Sequence, residues 1–157
     1  MMWPPFQSLI DSLLIRAKAD GLEVAVFMGT RTIEQQDALY ALGRTVKNLD
    51  GFSESKPMGN TVTKAKGGQS WHNYGVAADV VFKPSGKWSW DSKLNWKRLG
   101  EIGKECHLEW GGDFLGLADY PHFQLTHGLY IMEAQAIYQE GGLDAVWGKI
   151  AALGRNS

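Results

Sequence analysis

The strongest constraint on the fold of this 157-residue chain comes from four metal-type side chains that lie far apart in the sequence. His72 and Asp79 are separated by seven positions, and Asp119 and His122 by three. His122 follows Asp79 by 43 positions, so only a fold that brings the chain back can place all four together. Two histidines and a carboxylate can hold a zinc ion with one position open for water, and a further carboxylate can take a proton from that water. This composition predicts a hydrolase site, against the alternative that each histidine is merely structural.

Composition limits the classes of partner. The length fits one domain with a substantial core, so we expect a single domain over residues 1–157. The chain has 16 basic and 17 acidic residues, so no global field favours nucleic acid or a membrane surface. The only cysteine, Cys106, excludes an intramolecular disulfide. We expect a monomer with no nucleic-acid partner and no stable membrane association.

The first residues do not have the pattern of a secretory signal peptide. No Lys or Arg precedes the first apolar run, and Asp11 interrupts that run. No apolar stretch approaches the ~18 residues of a membrane span. We therefore expect synthesis in the cytoplasm, and release by another agent if the protein acts outside the cytoplasm.

Hydrophobic periodicity predicts helices and strands that do not alternate regularly. A helical stripe covers residues 6–19, a short β-rich run at 24–28 predicts a buried strand, and Thr32 with Gln35 forms a capping box for a helix ending near Leu42. The other expected elements are strands at 76–82, 108–110 and 122–125, a helix at 95–107, and two closing helices at 131–140 and 143–153. This order predicts an α+β fold with a small, mainly antiparallel sheet flanked by helices.

The segment between residues 44 and 69 shows no periodicity. Loops of this length are uncommon in compact domains and are often functional. Five of its residues are basic and two are acidic. The segment is either a basic loop that meets substrate carboxylates or a solvated loop, and the sequence leaves both open.

Several ordered motifs between Gly29 and Gln124 carry a family resemblance. Residues 70–79 have the pattern Ser-x-His-x-x-Gly-x-Ala-x-Asp, and residues 119–122 have Asp-x-x-His. The segment 29–40 is similar to a Gly-x-Arg-Ser…Gln…Leu-Tyr pattern, and 109–114 to a Glu-Trp-Gly-Gly-Asp-aromatic run. Together they resemble zinc peptidases of the D-Ala-D-Ala carboxypeptidase and L-alanyl-D-glutamate endopeptidase type (VanY-like M15 peptidases). Thr30, Thr32 and Phe114 depart from the usual residues without changing an expected ligand.

The resemblance implies a Hedgehog/DD-peptidase-like fold and one Zn²⁺ per chain. His72, Asp79 and His122 would hold the ion. Asp119 would be the general base and would later protonate the leaving amine.

The resemblance also implies residues that contact the substrate. Arg31 would stabilise the oxyanion or polarise the scissile carbonyl. Ser70 would support the site or bind substrate, and Gln36 is a further expected substrate contact. Tyr74 and Trp110 are expected walls of the cleft.

Other candidate residues have less specific interpretations. Glu109 and Asp113 are alternative candidates for the general base. The favoured role for both is the support of a histidine ligand. Cys106 lies on an apolar helical stripe and is expected in the core. Trp88, Trp90 and Trp96 are interpreted as a satellite core, with a glycan-binding platform as the alternative.

The resemblance implies a zinc endopeptidase that cuts the L-alanyl-D-glutamate bond of peptidoglycan stem peptides. It would be a phage or prophage endolysin that acts in the periplasm or at the cell wall after release with the help of a holin. One alternative is a D,D-carboxypeptidase that releases D-Ala. A second is a zinc-stabilised wall-binding module without activity. A third is an iron oxygenase, which the spacing of His72 and Asp79 disfavours because such enzymes usually carry His-x-Asp.

Overall fold

The computed structural model describes residues 1–157 and has the α+β architecture expected from the sequence. The helices are α1 (Pro4–Ala19), α2 (Ile33–Ala41), α3 (Trp96–Glu105) and α4 (Ile131–Arg155). The strands are β1 (Val24–Met28), β2 (Ala77–Phe82), β3 (Glu109–Trp110) and β4 (His122–Gln124). Short 3₁₀ turns occupy Trp71–Tyr74, Pro84–Gly86 and Gly111–Asp113. The strands form one antiparallel sheet in the order β1-β2-β4-β3.

The register of the sheet decides which side chains share a face. Asp79 in β2 pairs with His122 in β4, and Gln124 in β4 pairs with Glu109 in β3. Because successive side chains of a strand point to opposite faces, these four polar residues lie on one face. Phe123 points to the other face, where it is fully buried.

The main core lies on the face that carries Phe123, under α1 and α3. Phe6, Ile10 and Leu13 of α1 are fully buried in it. The expected core position of Cys106 is confirmed, and Trp96, Leu99 and Ile102 of α3 belong to the same cluster.

A second core forms where α4 packs near the 3₁₀ turn that precedes β2. It contains Tyr74, Val76, Leu129, Ala134, Val146 and Ile150. Gly142 has φ 70° and ψ −164°, which breaks α4 and confirms the expected division into two closing segments. None of the helices combines the length and the apolar character that crossing a bilayer requires.

Strand β1 differs from its expected burial. Its residues are mostly half-buried and Phe27 is 46% exposed. The strand lies at the edge of the sheet, and its pairing with β2 is irregular between Val26 and Met28. The prediction of a buried strand was therefore wrong: β1 is a half-buried edge strand.

Candidate metal centre

His72, Asp79 and His122 meet on the polar face of the sheet. His72 lies in the turn before β2, Asp79 in β2, and His122 directly opposite Asp79 in β4. The Oδ1 atom of Asp79 is 3.4 Å from Nε2 of His72 and 3.4 Å from Nδ1 of His122. One ligand atom from each of the three residues lies within 4.8 Å of the others. The antiparallel pairing thus closes the long gap in sequence between the two motifs.

Hydrogen bonds orient both imidazole rings. Nδ1 of His72 donates to the carbonyl of Gly29 at 2.8 Å, which leaves Nε2 facing Asp79. Nε2 of His122 donates to Oε1 of Gln124 at 2.8 Å, which leaves Nδ1 facing Asp79. A metal-binding histidine needs such a partner on its other nitrogen to define its tautomer and orientation.

Gln124 links His122 to Glu109. Its Nε2 donates to Oε1 of Glu109 at 3.1 Å. Glu109 also accepts from the backbone N–H of Thr126 at 2.6 Å and from its hydroxyl at 2.8 Å. The amide of Gln124 therefore has a defined orientation, and Glu109 supports His122 through it rather than directly. Sequence reasoning did not single out Gln124, although its position two residues after His122 in a strand places both on one face.

The charge of Asp79 suits a metal ligand. Burial alone would raise the pKa of this carboxyl, but hydrogen bonds from His122 and His72 outweigh burial and hold the pKa well below its usual value. Two imidazole nitrogens and an anionic carboxylate oxygen form a donor set that zinc accepts. The residues present therefore fit the zinc ion that the sequence predicts.

Asp119 borders the same cavity and is held by backbone contacts. Its N–H donates to the carbonyl of Gly111 at 2.9 Å, and its carbonyl accepts from the N–H of His122 at 3.2 Å. A Cβ at position 111 would overlap the backbone of Asp119, so glycine allows this close approach. Partial desolvation raises the pKa of Asp119; the neighbouring His122 opposes this rise and Asp79 adds to it. A carboxylate with a raised pKa holds a proton more readily, as proton transfer requires.

Hydrogen bonds connect the backbone of Arg31 to the turn that carries His72, and the side chain of Arg31 to α2. Its N–H donates to the carbonyl of His72 at 2.9 Å, and Asn73 donates to its carbonyl at 3.0 Å. Its Nη1 donates to Oε1 of Gln36 at 2.7 Å, while Nε2 of Gln36 donates to the carbonyl of Ala65 at 2.8 Å. Desolvation lowers the pKa of Arg31 and the nearby Asp79 opposes that change.

The structure corrects three of the expected substrate contacts. Tyr74 is fully buried and donates to the carbonyl of Gly68 at 2.6 Å. Trp110 is in the main core because it follows Glu109 in β3 and points to the opposite face. Gln36 is fully buried and orients Arg31 instead of facing the cleft. Ser70 does line the metal cavity.

The other predicted candidates lie outside the centre. Asp113 is exposed and pairs with Lys104 at 2.9 Å, so it is not placed to act as a base. The three tryptophans do not form the expected satellite core: Trp96 is in the main core, while Trp88 and Trp90 belong to neither core cluster and are 36% and 51% exposed.

The loop at residues 44–69 contributes uncharged residues to the site. Val62 and Thr63 line the metal cavity, whereas none of the five basic residues of the loop does. Arg44 and Lys66 lie over the ring of Tyr40. This arrangement favours the second alternative, in which the basic side chains of the loop are solvated and do not line the site.

The metal cavity, of about 230 Å³, shares lining residues with two larger depressions. It shares Asp119 with a groove of about 510 Å³, which we call the aromatic groove. It shares Arg31 and Leu39 with a groove of about 540 Å³, which we call the apolar groove. The aromatic groove is lined by Trp90, Ser92, Leu94, Asn95, Trp96, Lys97, Ala118, Asp119, Tyr120 and Pro121. The apolar groove is lined by Met28, Thr30, Arg31, Gln35, Ala38, Leu39, Leu42 and Val46.

Comparison with known proteins places this geometry in a family. The sequence model described as D-alanyl-D-alanine carboxypeptidase matches residues 63–125, which include His72, Asp79, Asp119 and His122. The peptidoglycan L-alanyl-D-glutamate endopeptidase CwlK of Bacillus subtilis (strain 168) is 38% identical over 124 residues, which cover 73% of this chain and 68% of CwlK.

Solved structures agree with this relationship. The L-Ala D-Glu endopeptidase ChiX of Serratia marcescens has a TM-score of 0.54 and 27% identity, with 80% of each chain covered. VanYB in complex with D-alanine-D-alanine has a TM-score of 0.55 at 22% identity, covering 94% of this chain and 82% of VanYB, and shows the shared fold. This chain therefore belongs to the M15 family of D-alanyl-D-alanine carboxypeptidases, as a zinc-dependent metallopeptidase that acts on peptidoglycan.

Proposed function

We propose that the protein is an endopeptidase that cuts the L-alanyl-D-glutamate bond of peptidoglycan stem peptides. The observation that carries this proposal is that the metal cavity shares lining residues with two larger grooves, with one through Asp119 and with the other through Arg31 and Leu39. An endopeptidase needs room for substrate on both sides of the scissile bond, whereas a carboxypeptidase needs little room beyond the terminal residue. The names of CwlK and ChiX support the same bond.

In this proposal His72, Asp79 and His122 hold one Zn²⁺ per chain. When bound, the ion supplies Lewis acidity and lowers the pKa of a coordinated water. The protein's own contribution is the orientation of the ligands, through Gly29 for His72 and through Gln124 for His122.

Asp119 moves the proton during the reaction. Its carboxylate takes a proton from the attacking water as the water oxygen bonds to the scissile carbonyl carbon. As the carbon–nitrogen bond breaks, the carboxyl returns that proton to the leaving amine. Partial burial raises the pKa of Asp119, which makes its carboxylate a stronger base for the proton of the water.

Arg31 stabilises the charge that develops on the carbonyl oxygen. Its guanidinium borders the cavity and is oriented by Gln36. A single well-placed oxyanion donor supplies ~2.7–4 kcal/mol of transition-state stabilisation. Ser70 also lines the cavity, as do Leu39, Val62 and Thr63, and it is a further side chain placed to contact the substrate.

The test is mass spectrometry of fragments released from purified peptidoglycan, with and without a chelator. We expect a chelator-sensitive cut between L-Ala and D-Glu. Asp119→Ala should lower kcat by about 10²–10⁴-fold while the protein still binds zinc. Asp113→Ala is the matched control and should keep full activity, because Asp113 only pairs with Lys104 at the surface. Release of free D-Ala in place of the internal cut would instead identify a D,D-carboxypeptidase.

We also propose that residues 1–157 act as one catalytic domain and a monomer, in the role of an endolysin that a holin releases. The two cores support a single domain because β2 joins them, with Val76 just before the strand in one and Val80 in the other. Expression in a bacterial host with and without a holin tests the role, since lysis should require both. Sedimentation of the purified protein tests the monomer.

A further inference from the structure

We propose that the aromatic groove binds the leaving-side part of the stem peptide, which begins with D-Glu, and that Trp90 and Lys97 recognise it. Trp90 would contact the peptide backbone and aliphatic atoms, and Lys97 would pair with the α-carboxylate of D-Glu. This assignment rests on the proposed function, since it takes the L-alanyl-D-glutamate bond as the bond that is cut.

The direction of the substrate follows from the position of Asp119. The group that protonates the leaving amine must contact that nitrogen. Asp119 is shared by the metal cavity and the aromatic groove. The fragment that carries the new amine therefore starts at Asp119 and continues into the aromatic groove, while the acyl fragment extends toward Arg31.

The walls of the groove expose aromatic rings in a fixed orientation. Trp90 is 51% exposed and Tyr120 is 49% exposed. Trp90 meets Phe27 edge-on, with ring centroids 5.0 Å apart at 90°, and Trp88 packs on Phe27 in the same way at 5.2 Å. Neither core cluster includes any of these four aromatic residues. A ring that is held in place but left half open is suited to ligand contact, because little conformational entropy is lost on binding.

The polar groups of the groove suit an anionic peptide. Lys97 is exposed and forms no ion pair, and it lines the groove next to Asn95 and Ser92. After the cut, D-Glu carries an α-carboxylate adjacent to the released amine, so a carboxylate enters the groove close to Asp119. A lysine in the groove balances that charge.

A sugar is the main competing occupant, since exposed aromatic rings also contact sugars. In peptidoglycan the glycan is attached on the acyl side of L-Ala. The direction set by Asp119 therefore places the glycan at the opposite end of the cleft, away from Trp90.

The test is isothermal titration of the zinc-loaded protein with fragments that contain no bond to cut. The leaving-side probe is γ-D-glutamyl-L-lysine, and its α-carboxamide analogue lacks the carboxylate. N-acetylmuramyl-L-alanine is the acyl-side probe. The variants are Trp90→Ala, Trp90→Phe and Lys97→Gln. Lys93→Gln is the matched control, because Lys93 does not line the aromatic groove and instead lines a neighbouring cavity with Gly21 and Phe82.

We expect Trp90→Ala to weaken binding of γ-D-glutamyl-L-lysine about 3- to 10-fold, with recovery in Trp90→Phe. Lys97→Gln should weaken the same probe about 2- to 5-fold and leave the carboxamide analogue unchanged. Lys93→Gln should bind every probe as the unaltered protein does.

Two results would overturn the assignment. One is a leaving-side probe that does not bind, or that binds equally to all the variants. The other is a loss confined to N-acetylmuramyl-L-alanine in Trp90→Ala, which would make the groove a glycan subsite. The titrations do not depend on turnover, so failure of the groove is distinguished from failure of the proposed reaction, which the cleavage assay reports separately.

Discussion

At the scale of single residues, the orientation of His122 in the metal centre depends on the neutral side-chain amide of Gln124. Gln124 is 8% exposed and stands between His122 and the carboxylate of Glu109. The amide can accept from the imidazole only because its own N–H₂ group donates to Glu109. Glu109 therefore orients His122 through Gln124, and no second negative charge lies against the imidazole ring. This arrangement leaves Nδ1 of His122 as the nitrogen available to the metal.

We predict that Gln124→Ala weakens zinc affinity about 10- to 100-fold, because His122 loses the partner that defines its tautomer. Competition with a chromophoric chelator measures the affinity. Gln139→Ala, an exposed position on α4, serves as the control and should bind zinc normally. Equal affinities in the two variants would show that His122 does not need this partner.

We predict that Cys106 reacts slowly with iodoacetamide in the folded protein. Burial raises the pKa of the thiol, and at a given pH a higher pKa means a smaller fraction of reactive thiolate. The side chain is also inaccessible, at 4% exposure. Mass spectrometry after labelling at about pH 8 should show little modification until urea unfolds the chain. Rapid labelling of the native protein would mean that α3 opens readily.

At the scale of elements, α3 and β4 depend on each other. Two glycines on α3 face large rings of the sheet: a Cβ at Gly103 would overlap Phe123, and a Cβ at Gly100 would overlap Trp110. Phe123 follows His122 in β4, so the packing of α3 on one face of the sheet holds the strand that carries His122, a proposed metal ligand, on the other face. Interior glycine normally weakens a helix, by about 0.5–1 kcal/mol relative to alanine, and here close packing requires it.

We predict that Gly103→Ala lowers the free energy of unfolding by about 1–3 kcal/mol, because overpacking against Phe123 exceeds the gain in helix propensity. Gly148→Ala on α4 is the matched control, since a Cβ at that position meets nothing within 4 Å. That variant should be slightly more stable than the unaltered protein. Urea denaturation of both variants measures the difference, and equal changes would mean that α3 can shift to accommodate a methyl group.

At the scale of the whole molecule, the centre joins segments from most of the chain. His72 comes from the turn before β2, Asp79 and His122 from paired strands, Asp119 from the segment after β3, and Arg31 from the segment before α2. An ion held by the turn and two strands therefore links parts of the fold that are distant in sequence. Because the unfolded chain does not present these ligands together, binding should favour the folded state.

We predict that removing zinc with a chelator lowers Tm, and that adding zinc restores it. A free ion concentration of 100 times Kd adds about 2.7 kcal/mol, which corresponds to roughly 5–10 °C for a domain of this size. Asp119→Ala should keep the zinc-dependent shift, and His72→Ala should lose it. Differential scanning calorimetry measures the shift, and its loss in Asp119→Ala would make Asp119 a ligand rather than a base.

The local structure of the chain was largely predictable. The capping box of Thr32 and Gln35 starts α2 as expected, and the stripe of α3 is buried as expected, because both depend on neighbours within a turn or two. The burial of β1 and the positions of Tyr74 and Trp110 were not. Apolar composition alone does not say whether a strand lies at an edge, or which face an aromatic residue joins.

The sequence by itself determined the helices, the chemistry of the expected ligands and the carboxylate that we propose transfers the proton, since residue type and short spacing carry that information. Only the tertiary structure decided that Asp79 faces His122, that Gln124 and Glu109 lie behind His122, and that the metal cavity shares lining residues with two larger grooves. The physical reason is strand register. A shift of one residue between β2 and β4 would turn the whole polar set to the other face, and no local pattern specifies that pairing.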